Sequence, residues 1–135
     1  MDVPDTMLDQ LMRSARAAAH SAYAPYSGFA VGAAVLASDG KIYVGANVEN
    51  ASYGLSMCAE RVAIFNAVAQ GMKGIAAIAI YTPTVQPTPP CGACRQVIAE
   101  FGADALVVCC NDDERGIRRF RLRELLPEAF GRGHL

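Results

Sequence analysis

The sequence predicts a three-layer α/β/α fold around a mixed five-stranded sheet, on three observations. Apolar spacing alternates between a helical period and short runs, in the order helix, strand, strand, helix, strand, helix, strand, strand, helix. The run IAAIAIY at 75–81 is apolar without alternation, as in a strand covered on both faces. Two helices stand between successive strands, which gives right-handed crossovers, parallel pairs and helices packed on the sheet.

Taken in order, Leu8, Leu11, Met12, Ala15, Ala18 and Ala19 follow the helical period. Asp5 or Thr6 is placed to cap this helix, with Asp9 three residues beyond Thr6 as in a capping box. The helix should end near YAPYSG at 23–28. FAVGAAVLA (29–37) and KIYVGA (41–46) flank SDG, where Asp39 and Gly40 suit a tight hairpin turn between antiparallel strands. After the loop NVENASYGLSM, residues 58–70 are apolar almost all round and stop at Gly71, the place of a helix C-cap glycine. TPTVQPTPP (82–90) is too proline-rich for either regular element and leads into Cys91. A helix over about 91–101, the strand ALVVCC (105–110), the turn NDDERG, a strand at 117–121 and a short helical LRELL complete the chain. There is no internal repeat and no linker, and 135 residues suit one domain over 1–135.

Composition excludes several classes. A hydrophobic fraction of 53% with 19% charged residues excludes disorder and low complexity. That apolar fraction is high for a lone small domain and hints that a copy of the chain covers part of the surface. Twelve Lys+Arg against thirteen Asp+Glu leaves a formal charge of -1, without the positive field that nucleic-acid binding uses. Arg115, Arg118, Arg119, Arg121 and Arg123 cluster locally and read as a solvated edge strand whose charges resist edge pairing. No apolar run reaches the roughly 18 residues of a membrane span, and the acidic amino end is unlike a signal peptide. A cytoplasmic protein is expected. Five cysteines, an odd number, then suggest thiols or metal ligands over disulfides.

The chemistry lies in MCAERV at 57–62 and PPCGACRQV at 89–97. Both strings fall at predicted helix N-termini after strand carboxyl ends, on one edge of the sheet, where open α/β sheets place ligands. Unpaired N–H groups and the helix dipole there favour thiolates, which bind soft metals. Cys58, Cys91 and Cys94 make three ligands. Cys109 and Cys110 belong to an apolar strand as small buried hydrophobes, and no spacing ties His20 or His134 to the cysteine edge. Three protein ligands with an open fourth position is the pattern of a catalytic zinc. Glu60, two residues after Cys58, can lean toward a water at that position without entering the coordination sphere, as a proton carrier needs. A redox pair made of CGAC would leave Cys58 and Glu60 unexplained.

Cys58-Ala59-Glu60 followed by Pro90-Cys91-Gly92-Ala93-Cys94 resembles the zinc nucleobase deaminases, in their three-cysteine variant. The closer resemblance is to the short homotetrameric cytidine deaminases. It covers nearly the whole chain, through YAPYSGFAVGAAV (23–35), NVENASYGLSMCAER (47–61), PCGACRQV (90–97) and LLPEAF (125–130). The resemblance implies a cytidine deaminase-like fold, one Zn2+ per subunit on Cys58, Cys91 and Cys94, and hydrolytic deamination of free cytidine and deoxycytidine with Glu60 moving the proton. It also implies that Arg61 drains charge from the thiolates, since three thiolates on a dication leave a net -1. Asn47 and Glu49 match a pair that holds ribose hydroxyls, Phe29 an aromatic that packs on the pyrimidine, and Ala59 a backbone N–H for the base carbonyl. Tyr53 and Phe130 match residues that reach a neighbouring subunit's site, so a homotetramer with shared active sites is implied. A blasticidin-type deaminase, which has no need of the Asn47 and Glu49 pair, and a noncatalytic zinc module, which has no use for Glu60, are the alternatives.

Overall fold

Side chains along the central strands alternate between two helical layers, and this alternation fixes which residues can meet. The structure, a computed structural model, describes residues 3–135; Met1 and Asp2 of the expected 1–135 domain lie outside the described residues. Its elements are α1 (Asp5–Ala18), β1 (Gly32–Ala37), β2 (Ile42–Ala46), α2 (Ala59–Ala69), β3 (Ile75–Tyr81), α3 (Gly92–Phe101), β4 (Leu106–Cys110), β5 (Arg118–Arg121) and α4 (Leu122–Leu125). Ala34, Leu36, Ala77, Ala79, Val108 and Cys110 face Leu8, Leu11 and Ala15 of α1. Their neighbours Ala33, Val35, Ile78, Ile80, Val107 and Cys109 face Ala63, Ile64, Ile98 and Leu122 on the other side. The two-residue period of the strands therefore produces the expected three layers.

The sheet order is β2-β1-β3-β4-β5. β1 is antiparallel to both β2 and β3, β3 is parallel to β4, and β4 is antiparallel to β5. Two expectations need correcting. Crossovers through α2 and α3 were expected to give two parallel pairs; β2 and β3 do run the same way, but β1 lies between them, so only β3 and β4 form a parallel pair. The second correction concerns α1, whose N-cap is Pro4, with Met7 and Leu8 N–H bonded to its carbonyl and no side-chain cap. The helix thus starts one residue before the expected Asp5 or Thr6 cap, and these two residues fall inside the first turn, where no capping box can form.

Packing is close where helices cross the sheet. A Cβ on Gly32 would lie 1.9 Å from the Ala15 carbonyl oxygen, and one on Gly45 2.3 Å from the Ala63 nitrogen. These glycines let α1 and α2 sit directly on strand backbone. At the far end of α2, Gly71 adopts φ 93° and its N–H bonds the Val68 carbonyl, while Met72 N–H bonds Ala67. This is the Schellman closure anticipated from Gly71. β5 is one of the two edge strands, and its Arg118 and Arg119 are exposed, as the arginine cluster implied. No helix among the described residues is long and apolar enough to cross a membrane.

Candidate metal centre and its cavity

Cys58 is the N-cap of α2 and Cys91 the N-cap of α3, and neither helix has a side-chain cap. Val62 N–H bonds the Cys58 carbonyl at 3.1 Å and Arg95 N–H the Cys91 carbonyl at 3.0 Å, the first turn-closing bonds of each helix. The N–H groups of the first turns are therefore left without helical partners. Serine, threonine or aspartate at such positions typically adds about 1 kcal/mol of stability. The chain forgoes that twice and puts thiols there.

The sulfur atoms of Cys58, Cys91 and Cys94 lie within 4.8 Å of one another, with Cys58 Sγ to Cys91 Sγ at 4.0 Å. Ligands on a tetrahedral zinc at about 2.3 Å stand roughly 3.8 Å apart, so the spacing fits. Among the described residues this is the one group of three or more His, Cys, Asp or Glu side chains able to hold a metal ion; Cys109, Cys110, His20, His134 and Glu60 are outside it. Arg61 donates from a terminal guanidinium nitrogen to Cys58 Sγ at 3.4 Å, while its buried Nε has no hydrogen-bond partner among the described residues. A part-buried cation needs negative charge beside it, and the net -1 of three thiolates on a dication would supply it. Donor set, spacing and counter-charge all fit zinc.

The titration of the thiols is consistent with this arrangement. A hydrogen bond from Cys94, and then the Arg61 guanidinium, bring the Cys58 thiol down to about 5 against its burial. The Cys58 sulfur and burial push Cys94 up. Hydrogen bonding to Cys58 raises the Arg61 guanidinium further above its ordinary value. Burial pushes Cys109 up to about 12 and Cys110 up to about 11, which keeps both as the inert thiols expected. Glu60 is only 5% exposed, and burial raises its pKa, with the Cys58 charge adding to the effect. A carboxyl so placed takes up a proton more readily than an exposed one, as a proton carrier needs.

A cavity of about 310 Å³ opens at the cluster, and its walls include Cys58, Cys91, Glu60, Ala59, Phe29, Asn47 and Glu49. The structure thus brings seven predicted residues to one space. Asn47 and Glu49 do share a side of their loop. Asn47 accepts the Val31 N–H at 2.9 Å and donates to the Phe29 carbonyl at 2.8 Å. The loop itself is stitched on both sides, Val48 pairing with Met57 and Tyr23 with Val48. Cys94 is fully buried and is not among the residues that line the cavity. Tyr53 lines an adjoining hollow with Glu49 and Ser56, and Phe130 is not among the residues that line the cavity. Tyr53 is 75% exposed with its ring edge-on to Tyr26, and Phe130 is 59% exposed and stacked on His134.

Sequence reasoning missed Thr82, Thr88, Ser56, Met57 and Ile80, which also line the cavity. Thr82 directly follows the carboxyl end of β3, so the rule that placed Cys91 on that edge reaches it too. A slightly larger cavity, about 350 Å³, lies on the opposite face between α1 and the end of β4, lined by Asp9, Arg13, Arg16 and Cys110 among others. It contains no metal-ligating cluster, and the chemistry is in the smaller one.

The family description "Cytidine and deoxycytidylate deaminase zinc-binding region" matches residues 5–110. A cytidine deaminase of Halalkalibacterium halodurans is 48% identical over 120 residues, 89% of this chain and 91% of that protein. One of Sporosarcina psychrophila is 44% identical over 95% and 94% of the two chains. The crystal structure of a Burkholderia pseudomallei cytidine deaminase superposes with TM-score 0.86 at 50% identity, covering 90% of this chain and 98% of that one. That of the Mycobacterium tuberculosis cytidine deaminase gives 0.80 at 42% identity over 96% and 99%.

Proposed function

This chain belongs to the cytidine and deoxycytidylate deaminase family, and from that premise we propose that it converts free cytidine, and deoxycytidine, to uridine or deoxyuridine and ammonia. The observation that carries the reading is the three-thiol cluster with buried Glu60 and an open cavity beside it. Zinc held by Cys58, Cys91 and Cys94 supplies Lewis acidity that makes water an effective nucleophile near neutral pH. Glu60 takes a proton from the attacking water as oxygen bonds to C4 of the ring, and delivers it to N3. It then takes the remaining proton from the new C4 hydroxyl and passes it to the C4 amino group, which leaves as ammonia as the C4–N bond breaks and the C4 carbonyl forms. Arg61 holds charge on the Cys58 sulfur. Ala59, the first residue of α2, has an N–H free for the base carbonyl, and Phe29 offers a ring face to the pyrimidine.

The sugar end distinguishes a nucleoside from a nucleotide. Among the described residues no Lys, Arg or His lines this cavity, and the charged side chains on its walls are Glu49 and Glu60. A phosphate would meet carboxylate there with no cation to hold it. We read Asn47 and Glu49 as the contacts to ribose hydroxyls. Exposed Tyr53 and Phe130, which do not line their own chain's cavity, support a homotetramer in which subunits complete one another's sites. Phe65 and Val68 on α2 and Val44 on β2, all exposed, offer apolar surface for such contacts. Residues 1–135 act in this reading as one deaminase domain in cytoplasmic pyrimidine salvage, with a nucleoside as the small-molecule partner and neither nucleic acid nor membrane involved.

The test measures loss of cytidine absorbance on protein of known metal content, with deoxycytidylate and blasticidin in parallel. Turnover of cytidine with one zinc per chain, and little with the other two, is expected. A zinc-loaded protein that turned over blasticidin and not cytidine would favour the antibiotic deaminase, and one inert toward all three would reduce the chain to a metal-binding module.

A further inference from the structure

The turn at 24–28 has no chemical role in the reading above, yet its polar groups converge on Glu49. The backbone N–H groups of Tyr26 and Ser27 donate to Glu49 Oε1 at 3.0 and 3.1 Å, and the Ser27 hydroxyl donates to Oε2. An ionised carboxylate only accepts, so the hydroxyl proton must lie on the Glu49 side. The Ser27 oxygen is then free to accept, and the Phe29 N–H reaches it at 3.0 Å. A serine that served only its own turn would need the second of these bonds and not the first. The turn is closed by Gly28, at φ 68°, whose N–H bonds the Ala24 carbonyl at 2.9 Å. Few other L residues adopt that conformation at low cost.

The consequence is a linked frame. A carboxylate has about four acceptor places, and the turn fills three of them at Glu49. Both Glu49 and Phe29 line the cavity beside the thiol cluster, 20 residues apart in sequence, and Ser27 is bonded to each of them. Asn47 closes the frame through its bonds to the Phe29 carbonyl and the Val31 N–H.

We infer that Ser27 is a positioning residue for substrate: its single hydroxyl sets the Glu49 carboxylate and the Phe29 backbone relative to each other, and so sets the sugar and base contacts in one register. The inference rests on Glu49 being a sugar contact. Its effect falls on binding, since Ser27 does not line the cavity with the metal cluster and Glu60.

Steady-state kinetics with cytidine on zinc-loaded protein test it, using Ser27→Ala, Ser27→Thr, Glu49→Ala and the Ser27→Ala/Glu49→Ala pair. Ser27→Ala is expected to raise KM about 10-fold with kcat within about threefold, as loss of a bond to a charged group in the binding step would. Ser27→Thr keeps the hydroxyl and should bring KM back to within about threefold of the parent. In the Glu49→Ala background, Ser27→Ala should add less than about twofold, because residues acting through one another are not additive. An unchanged KM in Ser27→Ala, or the same increase in both backgrounds, overturns the inference while Glu49→Ala still raises KM. If Glu49→Ala itself leaves KM unaltered, the sugar contact fails and the inference fails with it.

Discussion

The two ends of the cavity are built on different principles. At the metal end, Cys58, Cys91 and Cys94 sit on two helix N-termini that press on the sheet, and Cys94, Ala59 and Glu60 are buried. At the end we propose for the sugar, Phe29, Asn47 and Glu49 come from loops held by side-chain to backbone hydrogen bonds, and Phe29 is 39% exposed. One chain supplies every group the metal end needs. The other end is open, and of the aromatics that resemblance assigns to it, Tyr53 lies beside Glu49 with its ring edge-on to Tyr26, while Phe130 stacks on His134. The contrast suggests that chemistry is fixed by packing within a subunit, whereas substrate affinity depends on loops and neighbours. Changes at the first end should then act on kcat, and changes at the second on KM.

The largest effect is expected from Glu60→Gln, which removes the proton carrier without touching a ligand. Turnover should fall about 10²- to 10⁴-fold with zinc content unchanged, measured by cytidine absorbance and metal analysis on one sample. Near-normal turnover would detach Glu60 from the mechanism. Arg61→Gln comes next, with a loss of about 10- to 100-fold in kcat/KM or metal affinity and a smaller change in thermal midpoint. An equal loss of folding and activity would make Arg61 an ordinary packing residue.

Phe130→Ala probes the open end. If the ring reaches a neighbour's base, KM should rise about 2- to 13-fold, the range that a stacking energy of about 0.5–1.5 kcal/mol allows. The assembly state measured by sedimentation should be the same as that of the parent. An unaltered KM would confine Phe130 to its own chain, where it stacks on His134.

The smallest effect is one of pH. The Ser27 hydroxyl, and after it the Ser27 and Tyr26 N–H groups, hold the Glu49 carboxyl below its ordinary 4.5. A depressed carboxyl contributes fully to folding and binding above 4.5 and loses that contribution only as pH falls through the lower folded value. KM for cytidine at pH 4 should therefore rise by less than the roughly fourfold that a carboxyl titrating at 4.5 would give relative to pH 7. A rise of about fourfold or more at pH 4 would show Glu49 titrating as an ordinary carboxyl.

The sequence made the metal end legible because both strings carry their context with them. A cysteine opening an apolar helix, and a second pair opening the helix after a proline loop, can be placed on one edge of the sheet by counting elements. Glu60 was legible for the same reason, being two residues from a ligand. Ser27, Thr82 and Thr88 were not. Serine and threonine in loops have many local uses, and nothing in YAPYSGF or TPTVQPTPP says which distant carboxylate or cavity they face. The missed proline cap of α1 is of the same kind, since Pro4, Asp5 and Thr6 all suit a helix start and only backbone geometry selects among them.

What the sequence determined by itself was the layer pattern, the order of elements and the ligand set, because these follow from local periodicity and from residue types with few alternative uses. Tertiary structure decided that β1 stands between β2 and β3, that three thiols 33 and 36 residues apart converge within 4.8 Å, and that a serine hydroxyl joins Glu49 to Phe29. Each of these depends on distances between segments remote in the chain. Such distances are set when whole faces pack, and no local stretch encodes them.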